Sequence, residues 1–115
     1  MKTEKKPRNL LDLIPIQNVK WLTDNQNLAV LLKPKYTNKF STKYILPRMK
    51  SPNYKINLDS FGTVVWHNCN GKNTVAEIGK RLKKQFGEEI EPVYDRLSIF
   101  IQAMERSKLI YYANY

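Results

Sequence analysis

Residues 56–78 read INLDSFGTVVWHNCNGKNTVAEI, and within them the spacing of the apolar residues changes. Apolar and polar residues alternate from Tyr54 to Leu58, which is typical of a half-buried strand. After Asp59 or Ser60, either of which is a suitable N-cap, apolar residues recur every three or four positions, as in a helix. The chain is therefore predicted to pass from a strand into a helix within this run. The apolar positions of that helix are Phe61, Val64, Val65, Trp66 and Cys69.

Two more helices are predicted downstream. Thr74 and Glu77 have the spacing of a capping box, in which the threonine hydroxyl accepts from the glutamate N–H and the carboxylate reaches back, so a helix should begin here. Gly87 is a suitable residue to end it. Pro92 suits the first turn of a third helix, where its missing N–H costs nothing. The apolar stripes are Val75, Ile78, Leu82 and Phe86 on the second helix, and Val93, Leu97, Phe100, Ile101 and Met104 on the third.

Strands are predicted upstream of this run. Residues 18–24 and 28–33 are β-rich and flank the Asn-rich turn 25–27, which predicts a hairpin. Pro34 ends the second strand because it has no N–H for a ladder. Residues 35–53 show no steady period and are predicted to be a loop that contains at most a short strand. Three strands followed by three helices predict an α+β fold, a small three-stranded antiparallel sheet followed by three helices.

The length of 115 residues fits one folded domain, predicted to span residues 18–115 after a basic and apolar N-terminal arm, residues 1–17. The single cysteine, Cys69, cannot form an internal disulfide, so a reducing, cytoplasmic location is predicted. No run of about 18 apolar residues is present, so neither a membrane span nor a membrane partner is expected. Two roles are open for the apolar segment of the arm, residues 10–14. One is to cover the sheet, and the other is to mediate a homodimer.

The net charge is +10, and most of it lies in the first half of the chain. Residues 1–55 hold 12 lysines and arginines against 3 acidic residues, a net charge of +9, whereas residues 56–115 hold 8 against 7, a net charge of +1. A basic surface attracts nucleic acid, an anionic membrane or an acidic polypeptide alike, because long-range attraction does not distinguish among them. Charge alone therefore does not identify the partner.

The sequence contains no convincing set of catalytic or metal-binding residues. His67 and Cys69 are two residues apart on a predicted helix and so face different ways. One histidine and one cysteine do not provide the four ligands of a structural zinc, and a core position explains Cys69. Glu88, Glu89 and Glu91 cluster at a helix start, where negative charge is favourable. The chain is therefore predicted to be no enzyme and to hold neither a metal nor a cofactor.

The second and third predicted helices, joined by a short turn that contains Gly87, also have the pattern of a helix-turn-helix. A winged-helix DNA-binding regulator is therefore the alternative function. A recognition helix needs a basic surface, whereas the charges around the third helix nearly cancel. The basic residues here are Arg96, Arg106 and Lys108, and the acidic residues are Glu91, Asp95 and Glu105. Nucleic acid is accordingly the less favoured partner.

The run 56–78 combines a strand ending in Leu, an apolar helix with a Trp, an Asn-Gly turn and the segment Thr-Val-Ala-Glu-Ile, and in this it resembles the PqqD family. The similarity extends over residues 54–112. The resemblance implies a winged-helix-like arrangement of three strands and three helices. It also implies a non-catalytic module that binds the leader segment of a ribosomally made precursor peptide by strand addition. Such a module presents the leader to a peptide-modifying enzyme, such as a radical-type maturase.

The resemblance places the leader against the third strand and the third helix, since an open strand edge can pair with an extended guest while a groove wall selects its side chains. The predicted edge is Tyr54, Lys55, Ile56, Asn57 and Leu58, and the predicted wall, on the exposed side of the third helix, is Tyr94, Arg96, Leu97, Ile101 and Arg106. A core role is the competing explanation for Ile56, Leu58, Leu97 and Ile101. An acidic guest is our hypothesis, because Lys43, Arg48, Lys50 and Lys55 are basic.

Overall fold

The computed structural model describes residues 9–35, 43, 50 and 53–115, which fall into two compact units. One unit combines the described part of Met1–Asn18 with Val64–Tyr115, and the other lies within Val19–Thr63. The predictions for residues 36–42, 44–49 and 51–52, Arg48 among them, lie outside the described residues. The strands are β1 (Pro15–Gln17), β2 (Lys20–Thr23), β3 (Ala29–Pro34), β4 (Asn53–Asn57) and β5 (Ile110–Tyr112), and the α-helices are α1 (Ser60–Asn68), α2 (Val75–Phe86) and α3 (Val93–Arg106).

The predicted hairpin is confirmed as β2 and β3, which pair antiparallel. Its turn is held by Asp24, whose Oδ1 accepts from the N–H groups of Gln26 at 2.8 Å and Leu28 at 3.0 Å. Asn27 adopts a φ of 64°, a left-handed conformation that asparagine tolerates better than most residues. The turn therefore forms from local side-chain chemistry, as the Asn-rich sequence predicts.

β3 is the central strand of a three-stranded antiparallel sheet with the order β2-β3-β4. Its first three side chains, Ala29, Val30 and Leu31, are all buried. β4 confirms the third predicted strand. Together with the three helices that follow, this sheet confirms the predicted α+β class.

α1 and α2 begin, and α2 ends, at residues that the sequence indicates, whereas Pro92 lies just before α3 rather than in its first turn. The Asp59 carboxylate accepts from the Gly62 N–H at 2.8 Å at the start of α1. At the start of α2 the Thr74 hydroxyl accepts from the Glu77 N–H at 3.1 Å, and the Glu77 carboxylate accepts from the Thr74 N–H at 2.7 Å. This confirms the capping box. Gly87 ends α2 with a φ of 68°, which a residue without a Cβ adopts at little cost.

The core of the first unit is built from one apolar stripe on each helix. Pro92 directly precedes the first residue of α3. Each large aliphatic side chain that is fully buried contributes about 1.5–3 kcal/mol through removal of apolar surface from water. Side chains with no exposed surface in this unit are Val65, Trp66, Cys69, Val75, Ile78, Leu82, Val93, Leu97 and Ile101.

The sequence did not predict the second sheet, a two-stranded antiparallel pair of β1 and β5 in which Pro15 lies opposite Tyr112. On its other side β1 meets the chain after α1, because the Gln17 N–H donates to Cys69 O at 3.0 Å and the Gly71 N–H donates to Pro15 O at 3.1 Å. Part of the segment predicted to be an arm, residues 1–17, therefore forms β1, and β5 near the C-terminal end of its unit pairs with it. Strands of three residues are too short to show a period in sequence.

Candidate functional site

β4 is an edge strand, since among the described residues it pairs with β3 alone. The ladder fixes which of its backbone groups are used. The Leu58 N–H donates to Ala29 O at 2.9 Å, and backbone groups in an antiparallel pair face the partner at every second residue. Ile56 and Tyr54 therefore also face β3, whereas the N–H and C=O groups of Asn53, Lys55 and Asn57 point away from it. We call these three residues the outward positions of β4.

At neither end of β4 is a backbone N–H group of β3 left without a hydrogen-bond partner. Pro34, which has no N–H, lies opposite Asn53. That pair is one of the non-hydrogen-bonded pairs of the ladder, so the missing donor costs no hydrogen bond there. At the other end, where the chain passes from β4 into α1, the Ala29 N–H donates to the Thr63 hydroxyl at 2.9 Å. This hydroxyl takes the place of a carbonyl acceptor on β4. Among the residues that the structure describes, no strand pairs with the outward side of β4.

The side chains of β4 present two different faces. Lys55 and Asn57 are exposed on one face, while Tyr54, Ile56 and Leu58 lie on the other. Tyr54 is 56% exposed, and Ile56 and Leu58 are half-buried. Both apolar side chains, Ile56 and Leu58, therefore retain accessible surface.

Positive charge surrounds the end of β4 at which Tyr54 lies. Lys35 Nζ is 5.4 Å from the centroid of the Tyr54 ring, within the range of a cation–π contact. Lys33 lies directly opposite Tyr54 in the β3–β4 register, and the neighbouring Lys55 is exposed. Sequence reasoning missed Lys33 and Lys35 as site residues. The two lysines are two residues apart at the end of the second predicted strand, and this spacing could have identified them as neighbours on one face.

Within its own unit, the segment that carries β4 has too few acidic residues to neutralise this charge. Residues 19–63 contain 8 lysines and arginines and 2 acidic residues, a net charge of +6. Both acids already accept backbone hydrogen bonds, Asp24 in the β2–β3 turn and Asp59 at the start of α1. The surface around β4 is therefore suited to a negatively charged ligand.

The predicted residues of α3 belong to the other unit, and only some of them are exposed. Arg96 and Arg106 are exposed, but Leu97 and Ile101 have no exposed surface. The expectation that Leu97 and Ile101 lie on the exposed side of the helix was therefore wrong, because the apolar stripe of α3 faces its own core. Tyr94 is half-buried, and its hydroxyl donates to Ala76 O at 3.2 Å. A binding role for the α3 residues stays a prediction.

Cys69 lies in the core, as its place on the apolar stripe predicted. Its thiol donates to Val65 O at 3.2 Å, and burial raises the pKa of the thiol to about 12. Within residues 9–35, 43, 50 and 53–115, no three His, Cys, Asp or Glu side chains lie close enough together to bind a metal ion. No helix in that part of the chain is long and apolar enough to cross a membrane.

A family model described as "Coenzyme PQQ synthesis protein D (PqqD)" matches residues 43–110 of this chain. The chain belongs to the PqqD family. The match includes β4, all three helices and the first residue of β5. Membership of the PqqD family supports a role in the biosynthesis of coenzyme PQQ or of other ribosomally made, modified peptides, as an accessory protein. Comparisons with curated proteins and with solved structures gave no match.

Proposed function

We propose that this PqqD-family protein binds the leader segment of a ribosomally made precursor peptide as an added strand on β4, and holds it for a peptide-modifying enzyme. The three outward positions of β4 carry the proposal. Their backbone N–H and C=O groups have the spacing that an extended peptide requires of a partner strand. Pairing through the backbone supplies affinity for any extended segment, so side-chain contacts must supply selectivity.

The charge around the strand supports an acidic leader. Lys33, Lys35 and Lys55 lie at or next to β4, and the two acids of the same unit are engaged elsewhere. Complementary charge speeds the encounter and rejects basic segments. A disordered leader must be ordered when it binds, at a cost of about 2–5 kcal/mol. Electrostatic attraction offsets part of that cost at moderate ionic strength.

In this proposal the chain itself carries out no chemistry. Its thiol is buried and protonated, and the PqqD family consists of accessory proteins. A separate enzyme, such as a radical-type maturase, would modify the precursor while the leader stays bound. Catalysis and recognition are then divided between two proteins, and the recognition protein needs an accessible strand edge rather than an active site.

Replacing Lys55 with proline tests strand addition directly. Lys55→Pro removes an outward N–H and adds a ring at the open edge, whereas Lys55→Ala removes only the side-chain charge. Proline at Ile56 would instead remove a donor that faces β3 and so would damage the sheet itself. Thr23→Pro is the matched control on the opposite edge, because Thr23 is exposed and its N–H points away from β3 by the same alternation.

Binding is measured by fluorescence anisotropy with a labelled leader from the precursor encoded beside this gene. The Kd for the leader should be about tenfold higher with Lys55→Pro than with Lys55→Ala. Proline also removes a backbone hydrogen bond to the leader and disturbs the register of the added strand. Thr23→Pro should leave Kd nearly unchanged. Equal effects of Lys55→Pro and Lys55→Ala would exclude backbone pairing at β4. A wild-type protein that binds a random DNA duplex but no leader would instead favour the winged-helix regulator.

A further inference from the structure

The solvent face of α2 carries a concentrated positive charge. Its exposed residues include Lys80, Arg81, Lys83 and Lys84. The helix has a single acidic residue, Glu77, whose carboxylate is used in the capping box. This face therefore has a net charge of +4 over five consecutive positions of the chain, residues 80–84.

A second patch of opposite sign follows immediately. Glu88 and Glu89 lie in the 3-10 helix Gly87–Ile90 that continues from α2, and Glu91 comes next. All three are exposed. One carboxylate oxygen of Glu91 accepts from the Val93 N–H at 3.1 Å, which fixes it at the start of α3. The surface thus passes from positive to negative within a few residues.

An ordinary solvated helix mixes charges of both signs, and α3 does so, with Asp95 beside Arg96 and Glu105 beside Arg106. On α2, by contrast, Lys80 and Lys84 are four residues apart, where like charges slightly destabilise a helix. No acidic side chain within the described residues forms a hydrogen bond to either lysine. Glu77 interacts electrostatically with Lys80 and Arg81, but one carboxylate offsets only part of four positive charges. An acidic partner that covers this face would therefore gain electrostatic attraction.

The same surface is poorly suited to nucleic acid. The acidic patch would repel a phosphate backbone along the line that a duplex or single strand would follow. The ring of Tyr94 is poorly placed for base stacking, because it already packs against Gly79 and Lys83 Nζ lies 5.2 Å from its centroid. The single arginine, Arg81, already donates to Asn68 Oδ1 at 3.3 Å. The surface therefore fits a folded protein that carries both signs of charge.

We infer that α2 and the turn after it form a docking surface for the peptide-modifying enzyme. The partner surface would have an acidic patch that meets residues 80–84 and a smaller basic patch that meets residues 88–91. The inference rests on the proposed function for the identity of the partner. Having two patches of opposite sign fixes the orientation of the enzyme as well as its position, which a uniformly charged helix would not do.

Charge reversal on α2 tests the inference. The variant Lys80→Glu/Lys84→Glu changes two exposed residues that make no hydrogen bond among the described residues. The matched control, Lys72→Glu/Lys108→Glu, makes the same change in net charge at two exposed positions outside α2. Lys80→Ala/Lys84→Ala removes the charge with an excellent helix former, so the test remains valid if the reversed variant does not fold. The probe is the purified peptide-modifying enzyme encoded beside this gene, immobilised for interferometry.

The α2 reversal should raise Kd for the enzyme about tenfold or more, and the control should change it less than about threefold. Leader binding should be equal in the two reversed variants, since they have the same net charge. The inference is overturned by equal loss of enzyme binding in both variants, by no loss in either, or by a wild-type protein that does not bind the enzyme. Enzyme binding that behaves as expected while the leader does not bind would remove the proposed function and leave this docking surface in place.

Discussion

The ring of Tyr94 lies directly against the backbone of Gly79, so that a Cβ added at Gly79 would be only 2.7 Å from Cζ of the ring. The hydroxyl of the same ring donates to Ala76 O at 3.2 Å. These two contacts join α2 to α3 at a position where only glycine leaves room for an aromatic side chain. Tyr94 therefore has a structural role in its own unit, whether or not it also contacts a guest.

Gly79→Ala should destabilise the protein by about 1–3 kcal/mol, because the added methyl overlaps a packed ring. In a Tyr94→Ala background the same change should be neutral or stabilising by up to about 1 kcal/mol, since alanine is the better helix former once the ring is gone. A double-mutant cycle by chemical denaturation measures this change of sign. Additive effects of the two substitutions would show that the ring does not restrict Gly79.

Local signals in the sequence predicted most of the fold. The capping box of Thr74 and Glu77 and the turn around Asp24 depend on residues a few positions apart, so their chemistry can be read without tertiary structure. The β1–β5 pair depends on residues about a hundred positions apart in strands of three residues, and nothing local indicates it. Periodicity placed Leu97 and Ile101 correctly on the apolar stripe of α3. They were misplaced only where the family resemblance assigned them to an exposed groove wall, because a resemblance locates a region of the fold and not the direction of each side chain.

The charge of Lys35 should matter for leader binding at low salt. Lys35→Ala removes the cation over Tyr54 and should raise Kd for an acidic leader severalfold at 50 mM NaCl. Lys20→Ala, an exposed lysine on β2, is the control of equal charge and should have a smaller effect. At 1 M NaCl the Debye length falls to about 3 Å, so the difference between the variants should disappear. A difference that persists at high salt would indicate that Lys35 acts by contact rather than by charge.

Glu77 should contribute to the acid sensitivity of the fold. The hydrogen bond that its carboxylate accepts from the Thr74 N–H lowers the pKa of Glu77 in the folded state. Stability from this group is therefore complete above the ordinary glutamate value of about 4.3 and is lost as pH falls through the lower folded-state pKa. Glu77→Gln keeps an acceptor but does not titrate, so its Tm should fall less steeply than that of the wild type in this range.

Glu88→Gln makes the same change of charge at a nearby exposed residue and serves as the control for the Glu77 experiment. Thermal unfolding followed by circular dichroism between pH 6 and pH 2 gives the three Tm curves. Parallel curves for the wild type and Glu77→Gln would mean that the capping box does not couple to protonation.

The thiol of Cys69 should be inert in the folded protein. Burial raises its pKa to about 12, so at pH 8 almost no thiolate is present and reagents have no access to it. Iodoacetamide should label the native protein only at the rate of unfolding, and should label it rapidly in guanidinium chloride, as followed by mass spectrometry. A variant with Cys69→Ala and Lys72→Cys places the thiol at an exposed position and should react at once. Rapid labelling of native Cys69 would contradict the buried position.

The pairing of Pro15 with Tyr112 sets an order for folding during synthesis. β2 and β3 are neighbours in sequence, so their hairpin can form as soon as Pro34 leaves the ribosome. β1 is made first but cannot obtain its partner strand until Tyr112 has been synthesised. A contact between such distant residues also forms slowly, because a long loop must close before any hydrogen bond is gained. The side of β1 that pairs with β5 therefore stays open until Tyr112 has been made, even after the chain beyond α1 is available to bond its other side. That open side makes β1 a segment for chaperones to protect.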